Sequence, residues 1–142
     1  MSGGNDNSAQ GVDSSVNGGR FNVADAAFSS VSGGIYNAGI LGVANSTFSD
    51  NSSDKGGGIY NSNTLTVTGS TIFVNSAGNG GGMFTISAVT VNNSIIATSV
   101  SGGNCQGGGT VSGANNLSDD ATCDSEVFTE SSSILLGTLG YY

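Results

Sequence analysis

The chain carries ten carboxylates, two basic side chains (Arg20 and Lys55) and no histidine, for a net charge of −8. Without histidine it lacks the commonest general base and metal ligand. Arg20, at a strand edge, and Lys55, in a loop, read as solvated surface charges. Asp25, Asp50 and Asp54 are scattered, whereas Asp119, Asp120, Asp124, Glu126 and Glu130 cluster near the C-terminus. A glycosidase needs two acids flanking a groove, and nothing in these spacings requires that. Asp119, Asp120, Asp124 and Glu126 form a candidate calcium set, because calcium takes oxygen ligands. Their spacing matches neither an EF-hand loop nor the calcium-binding nonapeptide, and the simpler reading is an acidic loop. Cys105 and Cys123 are the two cysteines. With no histidine to join them, zinc is disfavoured, and in a chain of exported character they suggest a disulfide. Closing that loop would contribute roughly 3 kcal/mol on the chain-entropy model. No cofactor is expected.

The acidic balance excludes several partners. With two basic residues, little is available to neutralise a nucleic-acid backbone or to attract an anionic bilayer. No apolar run approaches the roughly 18 residues of a membrane helix, and no basic-led signal sequence is present. Low lysine content, abundant Ser, Thr and Asn, and a cysteine pair point to an extracellular or cell-surface setting. The chain reads as a mature piece, or as a fragment of a longer exported protein.

A repeat organises the rest. Gly34-Ile35-Tyr36-Asn37 returns as Gly58-Ile59-Tyr60-Asn61 and then as Gly82-Met83-Phe84-Thr85, each time after 24 residues. The same step takes Leu41 to Leu65 and Val89, Val43 to Val67 and Val91, Phe48 to Ile72 and Ile96, Ser46 to Ser70 and Ser94, and Asn51 to Asn75. A further copy aligns 20 residues upstream, with Val16-Asn17 under Tyr36-Asn37, Phe21 under Leu41, Val23 under Val43 and Phe28 under Phe48. A fixed period in the twenties with apolar positions in register signals a solenoid.

Each repeat reads as short strands joined by bends. Leu65-Thr66-Val67-Thr68 alternates as a half-buried strand does, and the glycine runs supply corners where positive φ is cheap. Stacked coils place like residues over like. Tyr36, Tyr60 and Phe84 are expected to form an aromatic stack, a candidate binding surface. Asn17, Asn37 and Asn61, and separately Asn51 and Asn75, are expected to form amide ladders at bends. The expected fold is all-β, a right-handed parallel β-helix of about six coils, three of them regular, over residues 12–142. Residues 1–11 read as a flexible tail or an incomplete first coil, and the part from 102 onward as less regular. The run Ile134–Leu139 is apolar enough for one more strand or an end cap.

Gly56–Asn61 followed by Leu65–Ile72 resembles the right-handed parallel β-helix proteins of bacteria, especially large surface or secreted proteins with polymorphic-outer-membrane-type repeats. Asn93–Ala97, Asn104-Cys105 and Asn116-Leu117 through Cys123 are similar to choice-of-anchor-Q proteins, in which a cysteine pair follows the last regular coils. The resemblance implies an exported protein and specifies fold rather than activity. Pectate lyases and polygalacturonases share this scaffold, but their basic residue with calcium, or clustered aspartates, find no match here. The expected function is therefore a non-enzymatic structural or adhesive module. Its expected partners are further copies stacked end to end to form filaments, neighbouring domains, or surface glycans, with neither nucleic-acid binding nor membrane insertion. The alternative is a carbohydrate-binding or carbohydrate-cleaving β-helix using Tyr36, Tyr60 and Phe84.

Overall fold

The structure is a computed structural model that describes residues 34–134 and 136 in full, and upstream of them only the backbones of strands 7–9, 15–17, 22–24 and 29–32. Within the described residues every strand pairing is parallel and there is no helix. The described residues wind as a β-solenoid of about four turns, against the six expected, because only four strands stack on each of two walls.

Strands are numbered along the chain. One wall holds β5 (Ile35–Asn37), β9 (Ile59–Asn61), β13 (Met83–Thr85) and β16 (Cys105–Gln106). The second holds β6 (Leu41–Ala44), β10 (Leu65–Thr68), β14 (Val89–Asn92) and β17 (Val111–Ala114). The third runs from β2 (Ser15–Asn17) and β4 (Ser29–Ser32) through β7 (Ser46–Ser49), β11 (Thr71–Phe73) and β15 (Ile95–Ala97) to β18 (Asn116–Ser118) and β19 (Phe128–Glu130). Strands β8 (Ser52–Lys55) and β12 (Ser76–Asn79) pair as an outer flange. Strands β1 (Asn7–Ala9) and β3 (Asn22–Ala24) pair with each other; the rest of residues 1–11 lies outside the described residues.

The register follows the repeat. Leu41, Leu65 and Val89 pair in column, as do Val43, Val67 and Val91, and Phe48, Ile72 and Ile96. Alternation turns these side chains inward, and Val67, Ile72, Val91 and Ile96 are fully buried. Each such side chain contributes about 1.5–3 kcal/mol. The last step shortens to 22 residues, and the columns then run out: Val91 pairs with Gly113 and Ile96 with Ser118. Cys105, Cys123 and Phe128 close the core at that end.

The upstream register differs from the 20-residue alignment. Asn17 pairs with Ser32 on the third wall, not with Asn37, and Ser29 and Ser30 pair with Ser46 and Thr47. Asn17 therefore leaves the expected ladder. Ser29-Ser30-Val31 offers the same hydroxyl–hydroxyl–apolar order as Ser46-Thr47-Phe48, which the other alignment lacks. Phe21 and Phe28 lie outside the described residues. Of the C-terminal apolar run, Ile134 and Leu136 are half-buried and outside any strand, and the rest is outside the described residues.

Glycine is obligatory where coils touch. A Cβ on Gly58 would lie 2.6 Å from the Gly82 carbonyl oxygen and 2.7 Å from Ile72 Cγ2, whereas one on Gly42 would meet nothing within 4 Å. Gly58→Ala should cost roughly 1–3 kcal/mol, the range for overpacking. Gly42→Ala should change stability by less than about 0.5 kcal/mol. Thermal unfolding of the two variants checks this contrast; equal melting temperatures would contradict the close coil contact.

Candidate functional site

Three side-chain ladders run along the axis inside the corners. In the first, Asn37 Nδ2 donates to Asn61 Oδ1 at 2.8 Å, and Asn61 Nδ2 donates to Thr85 Oγ1 at 3.0 Å. The same Nδ2 groups also donate to the Thr64 and Ala88 carbonyls. In the second, the backbone N–H and Nδ2 of Asn51 both donate to Asn75 Oδ1 at 3.0 Å, and Asn75 Nδ2 donates back to the Phe48 carbonyl. Asn37, Asn51, Asn61 and Asn75 are buried, so these amides hold the fold together. The third ladder was not anticipated. The N–H of Ser46 donates to Ser70 Oγ, that of Ser70 to Ser94 Oγ, and that of Ser94 to Asn116 Oδ1. The 24-residue recurrence of these serines was its only trace in the sequence.

Strand alternation turns the aromatic column outward on the first wall. Tyr36 and Tyr60 stack with ring centroids 5.0 Å apart and planes 8° from parallel, and Tyr60 and Phe84 with centroids 5.4 Å apart. Lys55 Nζ sits 5.2 Å from the Phe84 ring centroid, a cation–π contact. Tyr36 is 39% exposed, Tyr60 half-buried and Phe84 buried at 9%. Phe84 is thus no surface platform, and Tyr60 meets a ring on each side. The stack serves first as packing along the axis.

The acidic segment has a different role from the one its composition suggests. Both carboxylate oxygens of Asp119 accept the Thr98 N–H at 2.9 Å, Oδ2 also accepts the Thr98 hydroxyl, and Oδ1 accepts Asn104 Nδ2 at 2.6 Å. Asp120 accepts the Asn104 N–H at 2.9 Å and both the N–H and hydroxyl of Thr122. Thr122 Oγ1 in turn accepts the Cys105 N–H. In the coils before, the donor at the corresponding place bonds to the next coil: Ile59 N–H to Gly82 and Met83 N–H to Asn104. Side chains of residues 120 and 122 therefore stand in for a missing coil. Partial burial pushes the Asp119 pKa upward. The bonds from Asn104 and Thr98 outweigh it and hold the carboxyl below its ordinary value.

Among the described residues no group of acidic, histidine or cysteine side chains could hold a metal ion, and the calcium set of Asp119, Asp120, Asp124 and Glu126 does not assemble. The physical reason is that Asp119 and Asp120 already serve amides and hydroxyls, while Asp124 Oδ1 accepts the Glu126 N–H. Beside the acids, Cys105 and Cys123 form a disulfide with Cα atoms 4.8 Å apart. Asn104, fully buried, joins the cap to the last regular coil by donating to Ser118 and accepting from the Ser99 N–H. Ser99, at the place of Asn51 and Asn75, has a buried hydroxyl that makes no hydrogen bond.

No protein-family model, curated protein or solved structure matches the chain.

The depressed Asp119 pKa gives the cap a pH dependence of definite sign. Its stabilisation is complete above the unfolded carboxylate value of about 3.9 and is lost as pH falls through the lower folded value. Amide exchange at Thr98 should accelerate below about pH 4, relative to the core strands, and Asp119→Asn should flatten that dependence. Replacing both cysteines with serine should cost about 2–5 kcal/mol. The loss of exchange protection should be confined to the 104–130 end, because solenoid stability is local. Uniform loss along the chain would contradict this.

Proposed function

We propose that this chain is a non-enzymatic structural or adhesive module of an extracellular protein, acting by display. The supporting observation is the set of hydrogen-bonded ladders, which run through consecutive coils and make a stiff scaffold with outward faces free to vary. The disulfide suits an oxidising compartment, and no helix among the described residues is long and apolar enough to cross a membrane. A display role also accords with the chemistry at hand. The chain has no histidine, and the acids nearest to one another serve as backbone caps. The bacterial surface proteins with polymorphic-outer-membrane-type or choice-of-anchor-Q sequences are the proposed relatives.

End-to-end stacking into filaments is the narrower form of this reading. One copy would offer its C-terminal edge through β17 and β19, which are terminal in their sheets, since the Cys105 amide is already taken by Thr122, and this edge would meet the opposite end of the next copy. Unpaired strand edges template pairing with other chains.

Negative-stain microscopy with light scattering across concentration tests the stacking, and filaments that lengthen as concentration rises are the expected result. Monomers at high concentration would remove the filament and leave display. Incubation with a polysaccharide panel, followed by reducing-end assay, tests the absence of catalysis. Sugar release abolished by a single substitution would overturn the non-enzymatic reading.

A further inference from the structure

A groove of about 250 Å³ opens between the first wall and the flange, lined by Tyr36 and Tyr60 on one side and by Ser52, Ser53 and Lys55 on the other, over Gly34, Ile35 and Gly56. We propose that it binds a carboxylate-bearing sugar unit, such as a hexuronate of an acidic surface glycan.

The walls are positioned by different parts of the coil. Ser52, Ser53 and Lys55 lie on β8, a strand exposed along its whole length. Gly56, with φ of +61°, turns the chain from the flange into the first wall, and β9 then carries Tyr60 beside Tyr36. A Cβ at Gly56 would come within 2.7 Å of the backbone of Ile59 and Tyr60, so the turn leaves the floor without a side chain.

The lining chemistry selects the ligand class. Phenol hydroxyls and ring edges on one side, and serine hydroxyls on the other, suit a polyhydroxylated ring with apolar C–H positions. The volume lies just under the roughly 300–1,000 Å³ of drug-sized sites, which favours one sugar unit over a long chain. Charge then narrows the choice. Lys55 is one of two basic side chains in a molecule of net charge −8, so it is a place where an anionic ligand meets attraction. Contact with the Phe84 ring restrains the ammonium, and a cation–π contact leaves N–H donors available to a carboxylate. The flange also carries Asp54, which disfavours a multiply charged ligand such as a phosphate.

This inference deepens the display reading, and the two fail separately: catalytic turnover would remove that reading without touching the groove. The test is titration of the folded protein with a hexuronic acid trisaccharide and with its neutral hexose counterpart, followed by NMR. Binding on the order of millimolar is expected for the acidic sugar, with shifts confined to Ser52–Gly56, Tyr36 and Tyr60. Lys55→Met should weaken it by about tenfold, as loss of a charge-assisted hydrogen bond does. Lys55→Arg should retain it, and Tyr36→Ala should also weaken it. Unchanged melting temperatures would show that the variants remain folded. No shifts with the acidic sugar, equal binding of the neutral one, or unchanged affinity in Lys55→Met would each overturn the proposal.

Discussion

Along its corner ladders each described coil hands hydrogen-bond donors to the next, and the last coil has no successor to receive them. Asn37 gives to Asn61, Asn61 to Thr85, Asn51 to Asn75, and the serine amides at 46, 70 and 94 give onward in the same direction. A buried donor left unpaired costs about 1–3 kcal/mol. The end of the solenoid must therefore be rich in acceptors, and ionised carboxylates accept without donating. That requirement accounts for the position of Asp119 and Asp120. Their charge matters less than their lone pairs. The disulfide and Phe128 then close the apolar part of the same end.

The walls divide the work. Inward columns of Leu, Val, Ile and Phe form a continuous core, while the ladders fill the corners where backbone polar groups would otherwise be stranded. Outward positions on the second wall, such as Thr66 and Ser112, are small and exposed and carry no packing duty. The first wall differs, because Tyr36, Tyr60 and Phe84 build a second, external stack that the flange partly encloses. Burial falls along this stack from Phe84 to Tyr36, so a single column serves as packing at one end and as accessible surface at the other.

Much of this was legible because a solenoid makes one column of space from one period of sequence. The parallel fold, the apolar columns and the pairs Asn37–Asn61 and Asn51–Asn75 all follow from the 24-residue step. The misreadings arose where that step changes. Upstream, apolar matching favoured a 20-residue shift, whereas the backbone register pairs Ser29 and Ser30 with Ser46 and Thr47, a 17-residue step, and removes Asn17 from the ladder. After Ser101 the period drops to 22 and then ends, so residues counted as further coils make a cap, and the turns number about four. The acids read as a loop with a weak calcium candidate, and composition does not reveal which amides they face. Thr98, Asn104 and Thr122 become visible as their partners only once the coil is closed.

The side-chain-to-side-chain bonds Asn37–Asn61, Asn61–Thr85 and Asn51–Asn75 all donate toward the C-terminal coil and give the described coils a polarity along the axis. One end terminates a series of donors and is sealed by acceptors. A two-fold axis perpendicular to the solenoid would bring like ends together, acids against acids, in a molecule already strongly negative. For the proposed stacking, this charge disfavours pairing of two C-terminal ends and favours head-to-tail contact. Such a contact uses two different surfaces and does not close on itself. Polarity written into the amides of single coils would thus bias the symmetry of the proposed assembly.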